Sequence, residues 1–473
     1  MEMLLNGEWV SRPRTLRVNN PQDATLVDTV PLASVEDMAL AVGYAVAALE
    51  TARNTPIHQR IDILQGAAQI IADQHEQFAR TLSAEGIKTI REARKEVTRC
   101  IETIRISAEE ARRLQGETIA FDQMPGSENR QGYFTREPIG VIGAITPFND
   151  PLNLVAHKVG PAIAGGNCII VKPDPRTPLS ALLLAKALHD AGIPAGILQV
   201  ITGGADVGEA LVTDSRVRMI SFTGGWHTGR DIMQKVSLKK VSMELGSNCP
   251  VIVMGDADLE LAVSSCVSGA YWAAGQNCLH VQRLLVQDTI IEAFTQQFIT
   301  QVNAYKVGDK HDEATDMGPL INEEAAKRVE RLVDEALAAG ATLLAGGERS
   351  GSFYAPTLLA DVPDTCAIAH EEIYGPVTLL YRFSTLDTAI ARANRVEFGL
   401  QSGIFTRDLN TAFQAAGALQ CGGVMINDST DYRIDAMPFG GVKGSGLGRE
   451  GIRFALQDMT EPKVVCFNLP HMI

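Results

Sequence analysis

The sequence predicts an α/β fold made of two successive sheet-and-helix units behind a helical opening third. Three observations carry this. From Val141 onward, short apolar β-branched runs alternate with helical segments, the rhythm of parallel strands joined by right-handed crossovers. That alternation runs to Glu244 and starts again at Cys249, so two domains with a cleft between them are expected. Residues 34–115 carry helical periodicity instead.

In order, "MEMLLNGEWVSRPR" reads as a short strand around a turn at Asn6-Gly7. Ser34 to Asn54 is Ala-rich and helical in period, and His58 to Ala84 repeats the pattern. Glu92 to Gln115 reads as a long charged amphipathic helix. Gly116 to Gly132 mixes turn and β-type residues, as a hairpin or arm leaving the body would. Strands of the first series are expected at "VIGAIT", "CIIVKP", "ILQVIT" and "RMISFTG", with helices at "SALLLAKALHDAG", "EALVTD" and "HTGRDIMQKVS". The second series places strands at "CPVIVMG", "VQRLLVQ", "TLLAGG", "VTLLYRF", "SGIFTRD" and "GGVMIND", with helices between them.

Composition bounds the function. With 473 residues, 45% of them hydrophobic, the chain can bury a full core. A net charge of −14 argues against nucleic acid and anionic membranes as partners. No run approaches the roughly 20 apolar residues of a membrane helix. The first residues lack the basic and apolar regions of a signal peptide. Eight scattered cysteines form no CxxC pair, and no His cluster has metal-ligand spacing. Reduced thiols in a cytoplasmic protein fit, with no bound metal.

Several strand ends carry groups that could do chemistry. Gly275-Gln276-Asn277-Cys278 holds one cysteine ahead of an apolar run. It could be a nucleophile or a buried structural thiol. Phe222-Thr223-Gly224-Gly225 ends a strand and opens a helix near Thr228, where backbone amides can meet a phosphate; a plain turn fits equally well. Lys172 sits at a strand's carboxyl end, where α/β sheets bind ligands or simply expose a lysine. Asn149, within Pro147-Phe148-Asn149-Asp150-Pro151, could donate to an oxyanion or serve the turn. Glu244, before Leu245-Gly246, could be a general base or a solvated strand-end acid.

Together "TPFNDPLN", "IIVKPDPRTP", "ISFTGG", "MELGSNCPVIV", "GQNC", "EEIYGPV" and "MPFGGVKGSGLGREG" resemble the aldehyde dehydrogenase superfamily, in its order and near its spacing. The resemblance spans nearly the whole chain. It implies a Rossmann-like cofactor domain, an α/β catalytic domain and a β bridging arm. It implies Cys278 as nucleophile, Asn149 with the Cys278 N–H as oxyanion hole, and Glu244 as base. Lys172 would meet the cofactor ribose, Gly224 and Gly225 the pyrophosphate, and Glu372 with Tyr374 the nicotinamide ribose. Thr146, Pro147, Phe148, Phe222, Thr223, Thr228, Leu245 and Gly246 would complete the cofactor site. Thiolate addition to an aldehyde, hydride loss to the nicotinamide and hydrolysis of the thioester would follow.

Two positions depart from the family's commoner pattern. Where NAD-preferring members carry Glu, this chain has Pro175 followed by Arg176, which leans toward NADP, with dual use open. Trp226 stands where small or polar residues are commoner and is expected to alter the groove wall.

Within the family, the motifs look most like lactaldehyde dehydrogenases and their non-phosphorylating glyceraldehyde-3-phosphate and sulfolactaldehyde relatives. By that resemblance Arg99 and Arg433 would hold a substrate anion, with Asn149 and Asn277 nearby. Asn277 replaces an Arg of the phosphate-accepting relatives, which weakens the case for a dianion. A short hydroxylated or singly anionic aldehyde (lactaldehyde, sulfolactaldehyde or a semialdehyde) is expected. The rival readings are a coenzyme-A-acylating dehydrogenase, opposed by Glu244, and a thiol hydrolase pairing Cys278 with His280.

The expected layout is a cofactor domain from 1–115 and 134–246 and a catalytic domain over 247–450. Residues 116–133 and 454–473 would form an oligomerisation arm. Its apolar last strand is expected to pair with a neighbouring subunit in a homodimer or homotetramer.

Overall fold

The structure is a computed structural model that describes residues 1–469; the last four residues of the expected arm, 470–473, lie outside the described residues. Two large sheets organise the chain. In the first, the strands run 8–10, 3–5, 198–200, 168–172, 141–145, 219–223, 240–244 and 446–447. The five from 198–200 to 240–244 are parallel. From the strand Val141–Ile145 the chain first fills one side of the sheet and then the other. The strand order therefore reverses between 141–145 and 219–223, and a crevice opens there above the carboxyl ends. Buried β-branched residues such as Ile142, Ile169, Ile170 and Val171 need cover on both faces, which the surrounding helices supply.

In the second sheet the order is 342–345, 357–360, 377–383, 281–287, 249–253, 401–405 and 423–426. Only the first pair is antiparallel. A third, three-stranded sheet joins 460–468, 130–138 and 117–118.

Several expectations change. The hairpin Thr15–Asn19 with Leu26–Pro31 carries no period strong enough to show in the sequence. The expected helix from His58 is two, Ile57–Asp73 and His75–Glu85, broken at Gln74. Helix Asn153–Ala164 falls in a stretch to which the sequence reading assigns no element; all its residues are buried, so no polar face marks it. Residues 446–447 lie inside the stretch expected to be catalytic domain, yet they pair with Met243 and Glu244 of the first sheet. The tail strand Thr460–Asn468 pairs along its length with Arg130–Pro138 of its own chain. Its first edge is thus taken in cis, and the expected start of the arm at 454 is helical (Ile452–Asp458).

Candidate active site

Four strand ends of the first sheet meet at one level, because Ile145 pairs with both Lys172 and Phe222, and Thr223 pairs with Glu244. Above them lies a cavity of about 620 Å³. The loop after 141–145 contributes Thr146, Pro147, Phe148 and Asn149, and the loop after 168–172 adds Lys172, Pro175 and Arg176. Phe222, Thr223, Gly224, Gly225, Thr228, Glu244, Leu245 and Gly246 follow from the next two strands. Cys278, Glu372 and Tyr374 close it from the second sheet. The structure therefore brings together all the sequence-singled cofactor residues and the three catalytic candidates.

The outer part is a groove between two helices. One turns Ala205, Gly208, Glu209 and Val212 inward, the other Thr228, Asp231, Ile232 and Lys235. Both sets follow the i, i+3, i+4, i+7 spacing of one helix face, a signal readable in the sequence but not used. Lys235 and Glu209 pair across the groove at 2.9 Å. Helix Trp226–Lys235 begins at Gly225 without a side-chain cap, so its first N–H groups remain available to an anion. Lys172 Nζ donates only to the Pro173 carbonyl, at 3.2 Å, and burial lowers its pKa. Glu372 accepts the Ser247 N–H at 2.9 Å, and burial pushes its carboxyl up to about 7. A lysine held only by its neighbour's carbonyl and an uncapped helix end, with a half-buried carboxylate farther in, suit a dinucleotide: phosphates at the former and ribose hydroxyls at the latter. Arg176 is already engaged, gripping Asp174 through Nε (2.8 Å) and Nη2 (2.6 Å) and lying 4.2 Å from the Phe148 ring centre.

The inner end holds the candidate reacting groups. Cys278 follows three left-handed residues, Ala273 (φ 50°), Ala274 (φ 53°) and Gly275 (φ 67°). A Cβ at Gly275 would stand 2.2 Å from the Gly375 carbonyl oxygen, so this turn fits its neighbour only as glycine. Burial pushes the Cys278 thiol up, and the positive charge of Arg433 opposes that rise. Glu244 is 3% exposed and, among the described residues, neither carboxylate oxygen has a hydrogen-bond partner. Burial raises its pKa well above the ordinary range, and the charge of Glu450 adds to the rise. Glu450 behaves oppositely. Although burial opposes ionisation, Lys158 at 3.0 Å and Arg433 at 3.1 Å hold it down to about 2. One carboxylate is thus fixed as an anion, while burial and a neighbouring charge favour the proton on the other. Gly440 (φ +155°) makes room for this, since a Cβ there would meet Glu244 Oε1 at 2.8 Å.

The three remaining substrate candidates do not line the cavity. Arg433 stacks 3.7 Å from the centre of the Phe439 ring, which packs with Cys278, and its buried Nε has no partner. Arg99 donates to Asp435 at 2.7 Å and to Asp150 at 3.5 Å. Asn277 accepts the Leu279 N–H at 2.9 Å and shapes the nucleophile loop. Trp226 is a correction: it lies outside the groove, against the turn at Gly444, because its helix turns the 228–231–232–235 face inward. His280 is buried with neither ring nitrogen bonded, and burial lowers its pKa to about 3. It makes no hydrogen bond to Cys278, which removes the geometric basis for a Cys–His pair.

Sequence reasoning missed Lys158, on the unassigned buried helix, and Glu450, which stands inside the quoted "GREG" without a role. The chain matches the aldehyde dehydrogenase family over residues 9–465. It is 51% identical to aspartate-semialdehyde dehydrogenase 1 of Pseudomonas canavaninivorans, over 96% of this chain and 97% of that relative. It is 42% identical to 3-sulfolactaldehyde dehydrogenase of Priestia aryabhattai, over 99% and 98%. Among solved structures, aldehyde dehydrogenase 21 from Physcomitrella patens, in complex with the reaction product succinate, superposes with a TM-score of 0.98 at 39% identity, covering 100% of this chain and 99% of that one. The chain belongs to the aldehyde dehydrogenase family and is an NAD(P)-dependent oxidoreductase that acts on an aldehyde.

Proposed function

We propose that the substrate is a short aldehyde with a single anionic group. A four-carbon semialdehyde comes first and sulfolactaldehyde second, with the neutral, hydroxylated lactaldehyde last for want of an anionic group. One observation carries this reading. Arg433, beside Phe439 and the assigned nucleophile, spends Nη2 on Glu450, which matches its charge, and its buried Nε is without a partner among the described residues. Arg99 is matched likewise by Asp435 and Asp150. A site whose two arginines are already matched by carboxylates keeps little net positive charge, and this suits a monoanion better than a phosphate dianion. The 51% identity to a semialdehyde dehydrogenase supports the order of candidates.

In this reading Cys278 sulfur adds to the aldehyde carbon. The Asn149 side-chain amide and the Cys278 N–H donate to the oxygen that becomes negative. The nicotinamide nucleotide, when bound, supplies the hydride acceptor; Lys172, Gly225, Glu372 and Tyr374 would hold it. Glu244 then takes a proton from water, which cleaves the thioester to a carboxylate and frees the thiol. We assign NADP as the favoured form with NAD accepted, because Pro175 offers no acid to the adenosine ribose, Lys172 stands at that end, and the one acid there, Asp174, is taken by Arg176. The cofactor and catalytic domains are assigned to 1–115 with 134–246 and to 247–450, the latter lending 446–447 to the first sheet. We assign a homodimer or homotetramer, because the arm strand 460–468 leaves Val464 and Phe467 exposed along an outer edge unpaired among the described residues. No helix among the described residues is long and apolar enough to cross a membrane, and a cytoplasmic enzyme fits.

NAD(P)H absorbance with aspartate semialdehyde, succinate semialdehyde, sulfolactaldehyde, lactaldehyde and glyceraldehyde 3-phosphate tests the substrate. A semialdehyde should give the highest kcat/KM, and Arg433→Ala should lower it by a larger factor than it lowers that of a neutral aldehyde. Highest kcat/KM for the phosphate ester, or an acyl-CoA product when coenzyme A is added, would sink the reading.

A further inference from the structure

One helix touches both halves of the reacting centre. Ile90–Arg113 opens with a capping box between Thr89 and Glu92. Its first two turns carry Glu92 and Glu96, four residues apart and so on one face. Both are buried, at 6% and 2% exposure. Glu92 Oε1 accepts the N–H of Ala273 at 2.8 Å, while Oε2 accepts that of Thr89. Ala273 is the first of the three left-handed residues that lead into Cys278. Such residues are strained and persist only where their surroundings hold them. Glu96 Oε1 accepts the N–H groups of Leu152 (2.9 Å) and Asn153 (3.0 Å), just beyond Asn149. Lys88 sits between the two loops. Its Nζ donates to Glu96 at 2.7 Å and to Asp150, and lies 4.6 Å from the Trp272 ring centre. Every partner of the two carboxylates is a donor, so each site demands an acceptor-only side chain.

We propose that the first turns of this helix set the separation between the nucleophile and the oxyanion donor, with Glu92 and Glu96 as positioning residues. Glu92 acts through Ala273 on the Cys278 loop, and Glu96 acts through Leu152 and Asn153 on the Asn149 loop. The inference rests on Cys278 and Asn149 having the roles assigned above. Neither glutamate touches substrate. The arrangement matters because the two groups come from loops of different sheets, and a shift of about 1 Å between them costs about 100-fold in rate.

The test uses the whole enzyme and a matched control. Glu85 is also buried and likewise accepts two backbone N–H groups, those of Leu179 and Ser180, at another helix start, and it bonds neither the Cys278 loop nor the Asn149 loop. Glu92→Ala, Glu96→Ala and Glu85→Ala are compared for single-turnover NAD(P)H formation, for KM, and for alkylation of Cys278 by iodoacetamide without cofactor. Glu96→Ala should slow the single turnover about 100-fold and leave alkylation unchanged, because alkylation needs no oxyanion donor. Glu92→Ala should slow both. KM should move little in either. If the alanine variants do not fold, Glu92→Gln and Glu96→Gln against Glu85→Gln serve, with a loss of about tenfold expected. Single-turnover rates within about threefold of the Glu85 control would overturn the proposal. Turnover surviving in Cys278→Ala would instead overturn the assigned chemistry, so the two failures are distinguishable.

Discussion

The cavity and the charged cluster behind it are built on opposite terms. Around Lys88 and Asp435 almost every charge has a partner. Lys88 has Glu96 and Asp150, Arg99 has Asp435, and His157 and Asn153 also donate to Asp435. In the cavity Lys235 pairs with Glu209 and Arg176 with Asp174, but three polar features stand unmatched among the described residues: both oxygens of Glu244, the uncapped start of helix Trp226–Lys235, and Lys172 with only its neighbour's carbonyl. A buried group without a partner costs stability, and here those groups lie where a ligand, a proton or an oxyanion would complete them. Matched charges fix position, and unmatched ones are left for chemistry.

Substitutions can break or sharpen that contrast. The largest effect belongs to the nucleophile. Cys278→Ala should lower kcat by at least about 10⁴-fold with an unchanged thermal midpoint. Residual turnover near the native rate would remove Cys278 from the reaction. Next, Asn149→Ala should cost about 100- to 1,000-fold in kcat, with KM moving much less. A pure KM effect would make Asn149 a substrate-binding residue only.

The matched cluster should answer differently. Asp435→Ala strands Arg99, His157 and Asn153 together, at a cost of about 3 kcal/mol in stability measured by chemical denaturation. A variant as stable as the native chain would show that these pairs hold nothing. In the groove, Lys172→Ala should raise the KM for NADP about tenfold while leaving stability intact. A fall in stability with an unchanged KM would place Lys172 with the matched charges.

The last prediction concerns direction rather than size. Catalysis by Glu244 needs its carboxylate, so kcat should climb as pH rises through its raised pKa. Glu450 contributes a negative charge that raises that pKa, whereas Lys158 and Arg433 lower it. Glu450→Gln removes the charge and leaves the two cations, and both changes act in the same sense. The ascending limb should move to lower pH. An upward shift, or none, would uncouple the two carboxylates.

The sequence by itself determined the α/β class, the strand ends that carry Lys172, Thr223 and Glu244, and the cysteine loop, because period and local turn chemistry are written in neighbouring residues. It also supplied the family, because motifs keep their order along the chain. What it did not mark was helix Asn153–Ala164, buried on every side and so without a polar stripe, and with it Lys158. Trp226 looked like a groove residue by its position, and only the helix face showed otherwise. The sharpest gap is between equals. Glu92, Glu96, Glu244 and Glu450 are the same residue type, yet tertiary structure alone decided which oxygens met N–H groups, which met cations and which met nothing. Partners come from segments up to hundreds of positions apart, and a carboxylate's role depends on the charges and donors that folding places around it.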